Sequence, residues 1–302
     1  MRPPEKSGGF YFLTVYNEYM NNFEFIDNKA IVKNIDDFCP EQIFSCGQAF
    51  RFTGEGGVWS GIAHKRFINV KRNGADIEIW PCSREDFYDI WLNYFDLLHD
   101  YSLAKKQLCT DEFMAKGILH GWGVRILNQE PFETMISFII SSNNNMGRIS
   151  RSINRICELC GDMLTGGEGY AFPTPERLAS VTVEQLEECG VGYRAPYIKQ
   201  SAEMAIDCDF DKFRNLPLQA SCRELTRFPG IGPKVAACVQ LFSLGFMQAF
   251  PIDVWVKRVM KDIYGLEKPA EIDKFALEKF KGLGGLAQQY LFYYAREAGI
   301  GK

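Results

Sequence analysis

Phe228-Pro229-Gly230-Ile231-Gly232-Pro233-Lys234 is a hairpin between two helices. Two glycines tolerate positive φ, and Pro233 is preset for the first turn of a following helix. Upstream, Ser221-Cys222-Arg223-Glu224 has capping-box spacing, which predicts a short helix from Ser221 to about residue 228. Downstream, Val235, Ala236, Ala237, Cys238 and Val239 are small or apolar and let two helices approach closely, with Gly245 predicted to end the second. The unit reads as a helix-hairpin-helix over about 221–245. Such a hairpin points unpaired N–H groups outward from Gly230 and Gly232, a sequence-independent anchor for a DNA phosphate.

Lys234 falls in the first turn of the second helix, where the helix dipole and partial burial disfavour its ammonium form and leave the amine available as a nucleophile. Phe250-Pro251-Ile252-Asp253 then sets a carboxylate where the next helix should start, with Asp253 as its N-cap. Taken singly, Lys234 reads as a solvated lysine and Asp253 as an ordinary cap. Bracketing one hairpin, they become an amine and a carboxylate at a DNA anchor. The pattern resembles the helix-hairpin-helix superfamily of DNA base-excision glycosylases, whose signature is L-P-G-x-G-x-K followed by P-x-D. Phe228 replaces the leading leucine. The presence of Lys234 resembles the bifunctional branch, in which the amine attacks the sugar.

The chain has 302 residues, 46% of them hydrophobic, and no low-complexity segment, enough for two or three packed domains. Residues 1–6 lack an apolar signal core, the run 10–15 is too short for one, and no 18-residue apolar span exists, so a soluble, intracellular protein with no membrane partner is expected. In a bacterium it would be cytoplasmic and nucleoid-associated. Ten cysteines without paired spacing suit a reducing compartment, and Cys157-x-x-Cys160 reads as a buried helix face. With three histidines no metal site is expected, and no cysteine follows Cys238 to build the four-cysteine iron–sulfur loop of related glycosylases.

A net charge of −4 argues against a nucleic-acid partner unless the cations are gathered. They are gathered: Arg227, Lys234, Lys257, Arg258 and Lys261 face one anion, Asp253, across 227–261, and Arg148, Arg151 and Arg155 form a second cluster.

Residues 1–122 read as an antiparallel sheet domain. Short β-rich runs at 50–52, 58–64, 67–72 and 77–80 are joined by turns that include Asn73-Gly74, a strong hairpin signal. Residues 84–108 carry apolar residues at helical spacing and are predicted to cap the sheet. Residues 123–302 read as helical, with runs at 131–142, 146–162, 176–188, 194–206 and 271–282 and a last helix at about 285–298. The fold class is therefore α+β, a sheet domain followed by all-α helix-hairpin-helix lobes.

Three further stretches narrow the resemblance. Ser45-Cys46-Gly47-Gln48-Ala49-Phe50-Arg51, the run 141–148 (Ser-Ser-Asn-Asn-Asn-Met-Gly-Arg) and Gly190-Val191-Gly192-Tyr193-Arg194-Ala195 are similar to signatures of the 8-oxoguanine DNA glycosylases. With the hairpin and Ala287-Gln288-Gln289-Tyr290-Leu291-Phe292, the similarity covers nearly the whole chain in order. The resemblance implies that Cys238 and Phe292 sandwich a flipped base, that Gln288 reads its guanine edge, and that a carbonyl at Gly47 accepts from the N7–H that distinguishes the oxidised base. It places Asn143 in the gap left in the duplex, Arg148 and Arg194 on the estranged cytosine, and Tyr193 as a wedge in the stack. Eukaryotic members have a histidine where this chain has Trp255, and an acidic residue where it has Ala295, which bears on phosphate contacts near the sugar.

The expected activity is excision of 8-oxoguanine from duplex DNA by a monomer, with nicking through a Lys234 Schiff base and Asp253 stabilising the cationic sugar. No cofactor is required for this chemistry, although the hairpin carbonyls are suited to a monovalent cation. Two alternatives stay open: a glycosylase for another damaged purine, and a non-catalytic helix-hairpin-helix scaffold that uses Lys234 as a phosphate contact.

Overall fold

The computed structural model describes residues 22–299. The run 10–15 and the amino-terminal segment read above for a signal core lie outside them. Six antiparallel strands, β1 (Phe23–Ile26), β2 (Lys29–Val32), β3 (Phe52–Glu55), β4 (Val58–Ala63), β5 (Arg66–Asn73) and β6 (Asp76–Trp80), form one sheet in the order β1-β2-β6-β5-β4-β3. Alternation drives it: Ile68 and Val70 of β5 and Ile77 and Ile79 of β6 are fully buried on one face. The sequence reading missed β1 and β2. Each has only four residues, and β2 finds its partner far along the chain, pairing Ala30 with Ile79.

The single helix expected over 84–108 is two pieces. Arg84–Tyr94 is an irregular helical segment with a π turn at Phe87–Trp91, and α2 (Tyr101–Leu108) starts afresh where Asp100 accepts from the Leu103 amide at 2.8 Å. The break lets the two pieces serve different cores. Phe87, Trp91, Tyr94 and Phe95 pack under the sheet, whereas Tyr101, Ala104 and Leu108 join the core of the helical region.

The preceding helix is α1 (Pro40–Ser45), and those of six residues or more that follow α2 are α3 (Glu112–His120), α4 (Pro131–Ser141), α5 (Met146–Cys160), α6 (Pro175–Ser180), α7 (Val183–Glu188), α8 (Ala195–Ala205), α9 (Leu218–Leu225), α10 (Pro233–Ser243), α11 (Val254–Tyr264), α12 (Pro269–Phe280) and α13 (Gly284–Ala298). The unanticipated α3 lies on the amino-terminal side of the expected boundary at 122/123. It packs on α13 so closely that a Cβ at Gly117 would meet the Tyr290 carbonyl oxygen at 3.2 Å. The helix expected over 176–188 is divided at Val181-Thr182, because Thr182 and Gln185 form a true capping box that restarts the chain as α7.

The capping box expected at Ser221 is absent. Helix α9 begins at Leu218 behind Pro217, the Ser221 amide already donates to the Pro217 carbonyl, and the Ser221 hydroxyl is buried with no partner. Proline preset for helix entry sits one turn earlier, so Ser221 is carried into the core. The helix stops at Leu225 rather than near 228, and α10 ends at Ser243, two residues before Gly245, whose φ is +78°. Among the described residues no helix is long and apolar enough to cross a membrane.

Candidate active site

Only one of the two hairpin glycines uses its conformational freedom. Gly230 has φ +81°, and a Cβ there would press on Tyr197 at 3.0 Å and Ile139 at 3.2 Å. Gly232 is extended at φ −92°, exposed, and has open space where a Cβ would stand. The expectation of positive φ at both is therefore corrected: Gly230 lets the hairpin turn against α4 and α8, while Gly232 caps α10 and leaves its amide end bare.

Pro233 is the first residue of α10, so Lys234 emerges from its first turn, half-buried. Its Nζ stands 5.1 Å from the centroid of the Phe138 ring and donates to Ser141 Oγ at 3.4 Å. One turn on, Cys238 is 2% exposed, and burial pushes its thiol up to about 11, with Lys234 acting in the opposite direction. The group beside the amine is a neutral thiol at physiological pH. Asp253 N-caps α11, its Oδ1 accepting from the Val256 amide at 2.7 Å; the second carboxylate oxygen is left for other work.

Lys234, Cys238 and Asp253 line a cavity of about 340 Å³ together with Gly47, Gln288 and Phe292. A larger hollow of about 450 Å³ across α10 also touches Lys234, but neither Cys238 nor Asp253, so the amine and the carboxylate meet only in the former. Gly47 has φ +85°, and a Cβ there would approach the Phe292 ring to 3.9 Å. Two far parts of the chain thus close the pocket from one side. The Gly47 turn is held by its neighbour Gln48, whose buried amide donates to the Arg125 and Ile43 carbonyls and accepts from the Leu127 amide. From α13, Arg296 donates to the Ser45 carbonyl at 3.0 Å.

The run 141–148 divides its labour. Asn144 donates to the Ile140 carbonyl at the end of α4, and Asn145 caps α5 by accepting from the Arg148 amide at 3.1 Å. The Asn143 side chain makes no hydrogen bond among the described residues, and Asn143 is exposed at φ +50°. Arg148, Arg151 and Arg155 form an exposed stripe on α5. Tyr193 is 62% exposed, with the Arg194 guanidinium 4.4 Å from its ring centroid.

Arg194 is largely committed within the protein. It is 7% exposed, and its guanidinium donates to the Ser142, Asn143 and Val191 carbonyls. Four of its five N–H groups are engaged, leaving at most one for any other acceptor. Here it braces the Asn143 loop. Of the five cations near the hairpin, Arg227 pairs with Glu224 and Lys261 with Glu267, both at 2.8 Å; these acids lie just outside residues 227–261. Trp255 has a buried indole N–H with no partner, and Ala295 is fully buried, so a carboxylate at 295 would be carried into the core.

Phe138, Ser141, Gln289 and Arg296 also line or brace the cavity and were not expected. Ser141 and Gln289 stood within quoted motifs, but Phe138 and Arg296 carry no local signal, because only the packing of α4 and α13 aims them inward.

Residues 30–135 match the 8-oxoguanine DNA glycosylase N-terminal domain, and residues 136–281 match the HhH-GPD superfamily of base excision DNA repair proteins. An N-glycosylase/DNA lyase of Saccharomyces cerevisiae is 34% identical, over 76% of this chain and 69% of its own length. The chain belongs to the 8-oxoguanine N-glycosylase/DNA lyase family. Another member, from Arabidopsis thaliana, is 30% identical over 82% of this chain and 75% of its own. The 8-oxoguanine glycosylase/lyase of Clostridium acetobutylicum, solved with duplex DNA containing cytosine opposite 8-oxoG, superposes with a TM-score of 0.88 at 40% identity, covering 92% of this chain and all of its own. The departures at Trp255 and Ala295 are therefore variations within the family.

Proposed function

We propose that this chain removes 8-oxoguanine from duplex DNA, preferentially opposite cytosine, and nicks the product strand through a Schiff base on Lys234. The observation that carries the proposal is the meeting of the Lys234 amine, the Asp253 carboxylate, the neutral Cys238 thiol, the Phe292 ring and the Gly47 turn in one cavity. The 8-oxoG duplex bound to the Clostridium acetobutylicum relative supports the same lesion here.

The base enters between Cys238 and Phe292, with the Gln288 amide at its Watson–Crick edge. A carbonyl at the Gly47 turn accepts from the N7–H of the lesion and faces a lone pair in normal guanine, so the normal base loses a bond and meets repulsion. The neutral amine of Lys234 attacks C1′ while the C1′–N9 bond breaks, and the base leaves with the bonding pair and takes up a proton. Asp253 stabilises the positive charge that develops on the sugar. Opening of the sugar ring gives the Schiff base, and removal of a C2′ proton expels the 3′ phosphate. The hairpin amides around Gly230 and Gly232 anchor a backbone phosphate. Asn143, Tyr193 and Arg148 fill the gap and meet the estranged cytosine, and Arg194 holds the loop that presents Asn143.

A panel of lesion duplexes incubated with borohydride tests the proposal. A covalent adduct and a nick should form with 8-oxoguanine opposite cytosine and with few other lesions. Adduct on alkylated or ring-opened purines alone would move the chain to another lesion, and the absence of adduct on every duplex would leave a DNA-binding scaffold.

A further inference from the structure

The amide at the back of the cavity is not held by the scaffold but by a second amide. Gln288, Gln289, Phe292 and Arg296 form one stripe of α13 facing the cavity, and Gln288 and Gln289 are only 5% and 4% exposed. Gln289 Nε2 donates to Gln288 Oε1 at 2.9 Å, and the Gln288 side chain makes no other hydrogen bond among the described residues. Gln289 Oε1 is buried with no partner, a state that costs free energy.

We propose that Gln289 is a positioning residue whose N–H fixes which way round the Gln288 amide is presented to the flipped base. The inference rests on the reading of this cavity as a base pocket and deepens it. A primary amide is nearly symmetric in shape but not in chemistry, since half a turn exchanges an acceptor for a donor. With its oxygen held by Gln289, the Gln288 carbonyl keeps a second lone pair and its N–H groups remain free. The amide then offers an acceptor and a donor in a set order. A guanine-type edge presents N1–H beside the O6 acceptor, and an adenine-type edge presents the N1 acceptor beside an N6 amine, the same two positions with opposite polarity. Only one order matches each edge. The wrong order sets donor against donor and acceptor against acceptor in a site that excludes water, where unpaired polar groups give strong discrimination.

Two substitutions separate positioning from packing. Gln289→Glu keeps the size but, when ionised, can only accept, so the Gln288 amide must turn round to donate to it. Gln289→Met keeps the shape and holds neither end. Single-turnover excision of 8-oxoguanine and of 8-oxoadenine, each opposite cytosine, is measured at pH 6 and pH 9 alongside thermal melts. Gln289→Glu should lower the 8-oxoguanine to 8-oxoadenine rate ratio at least about tenfold, more at pH 9 than at pH 6, because burial at this position raises a carboxyl above its ordinary range and the protonated form can still donate to Gln288 Oε1. Gln289→Met should lower the ratio less and show no such pH dependence. An unchanged ratio in both variants, or an equal loss of rate on both lesions, overturns the inference without touching the reading of the cavity as a base pocket. Failure of the unsubstituted protein to release 8-oxoguanine at all would instead overturn the reading of the cavity.

Discussion

The hairpin cavity and the surface formed by the Asn143 loop, Tyr193 and α5 lie at opposite ends of one design choice. In the cavity the Lys234 amine and the Asp253 carboxyl are half-buried among side chains from α4, α10, α11 and α13, where electrostatic effects are strong and geometry is fixed. On the surface, Asn143, Arg148 and Tyr193 are exposed, and the one buried member, Arg194, spends its donors on backbone carbonyls. Under the proposed activity, bond-breaking groups belong in the first setting and groups that meet an intruding duplex in the second. Variants on the two sides should therefore fail in different ways.

The largest effect is expected from Lys234→Gln, which keeps length and polarity but removes the amine. Borohydride-trapped adduct and nicking should vanish while lesion duplex binding survives in a gel-shift titration. A trapped adduct with this variant would assign the nucleophile to another amine. Asp253→Asn comes next. The Asp253 cap bond to Val256 uses one oxygen, and asparagine can keep it, so stability should change by less than about 1 kcal/mol while single-turnover excision slows about 10²-fold or more. Full-speed excision by a normally melting Asp253→Asn protein would reduce the carboxylate to a helix cap.

The two arginines should then separate. Arg148→Ala removes an exposed donor and should narrow a cytosine-over-adenine preference by roughly ten- to a hundredfold, as loss of a charged hydrogen bond costs about 1.5–3 kcal/mol. Arg194→Ala strips the brace from the 142–143 carbonyls, so it should lower the thermal midpoint and slow excision opposite both bases alike. Rates on both duplexes and a melt for each variant decide this, and partner selectivity lost through Arg194 alone would reverse the assignment.

The smallest effect concerns Cys238. Its thiol is pushed up to about 11 by burial, so it stays neutral through the physiological range and does not tie up the amine as an ion pair. Cys238→Ser should leave the pH dependence of excision unchanged below about pH 9, with only a modest loss of rate from poorer stacking. A shift of the profile in that range would mean that a thiolate takes part.

The reading of 221–253 illustrates what was legible. The hairpin, the helix that carries Lys234 and the cap at Asp253 follow from local rules of proline, glycine and carboxylate placement, and all three are present. Local rules failed where two of them competed. Ser221-x-x-Glu224 and Thr182-x-x-Gln185 carry similar spacing, yet only the second caps a helix, because Pro217 opens α9 one turn before Ser221. The strands β1 and β2 were illegible for another reason, since four residues hold too little periodicity and their pairing depends on β6, nearly fifty residues away.

The sequence by itself determined the two-part architecture, the hairpin, and the amine and carboxylate that bracket it, because these rest on short-range periodicity and on local turn and cap chemistry. Only the tertiary structure decided which side chains meet. Gly47 and Phe292 come within contact, Gln289 takes hold of Gln288, and Arg194 turns inward to brace the Asn143 loop. Whether the remaining Arg194 N–H meets the estranged base is what the Arg194→Ala rates decide. The packing of helices far apart in the chain and the pairing of each buried donor are settled across the whole core rather than within any window of sequence.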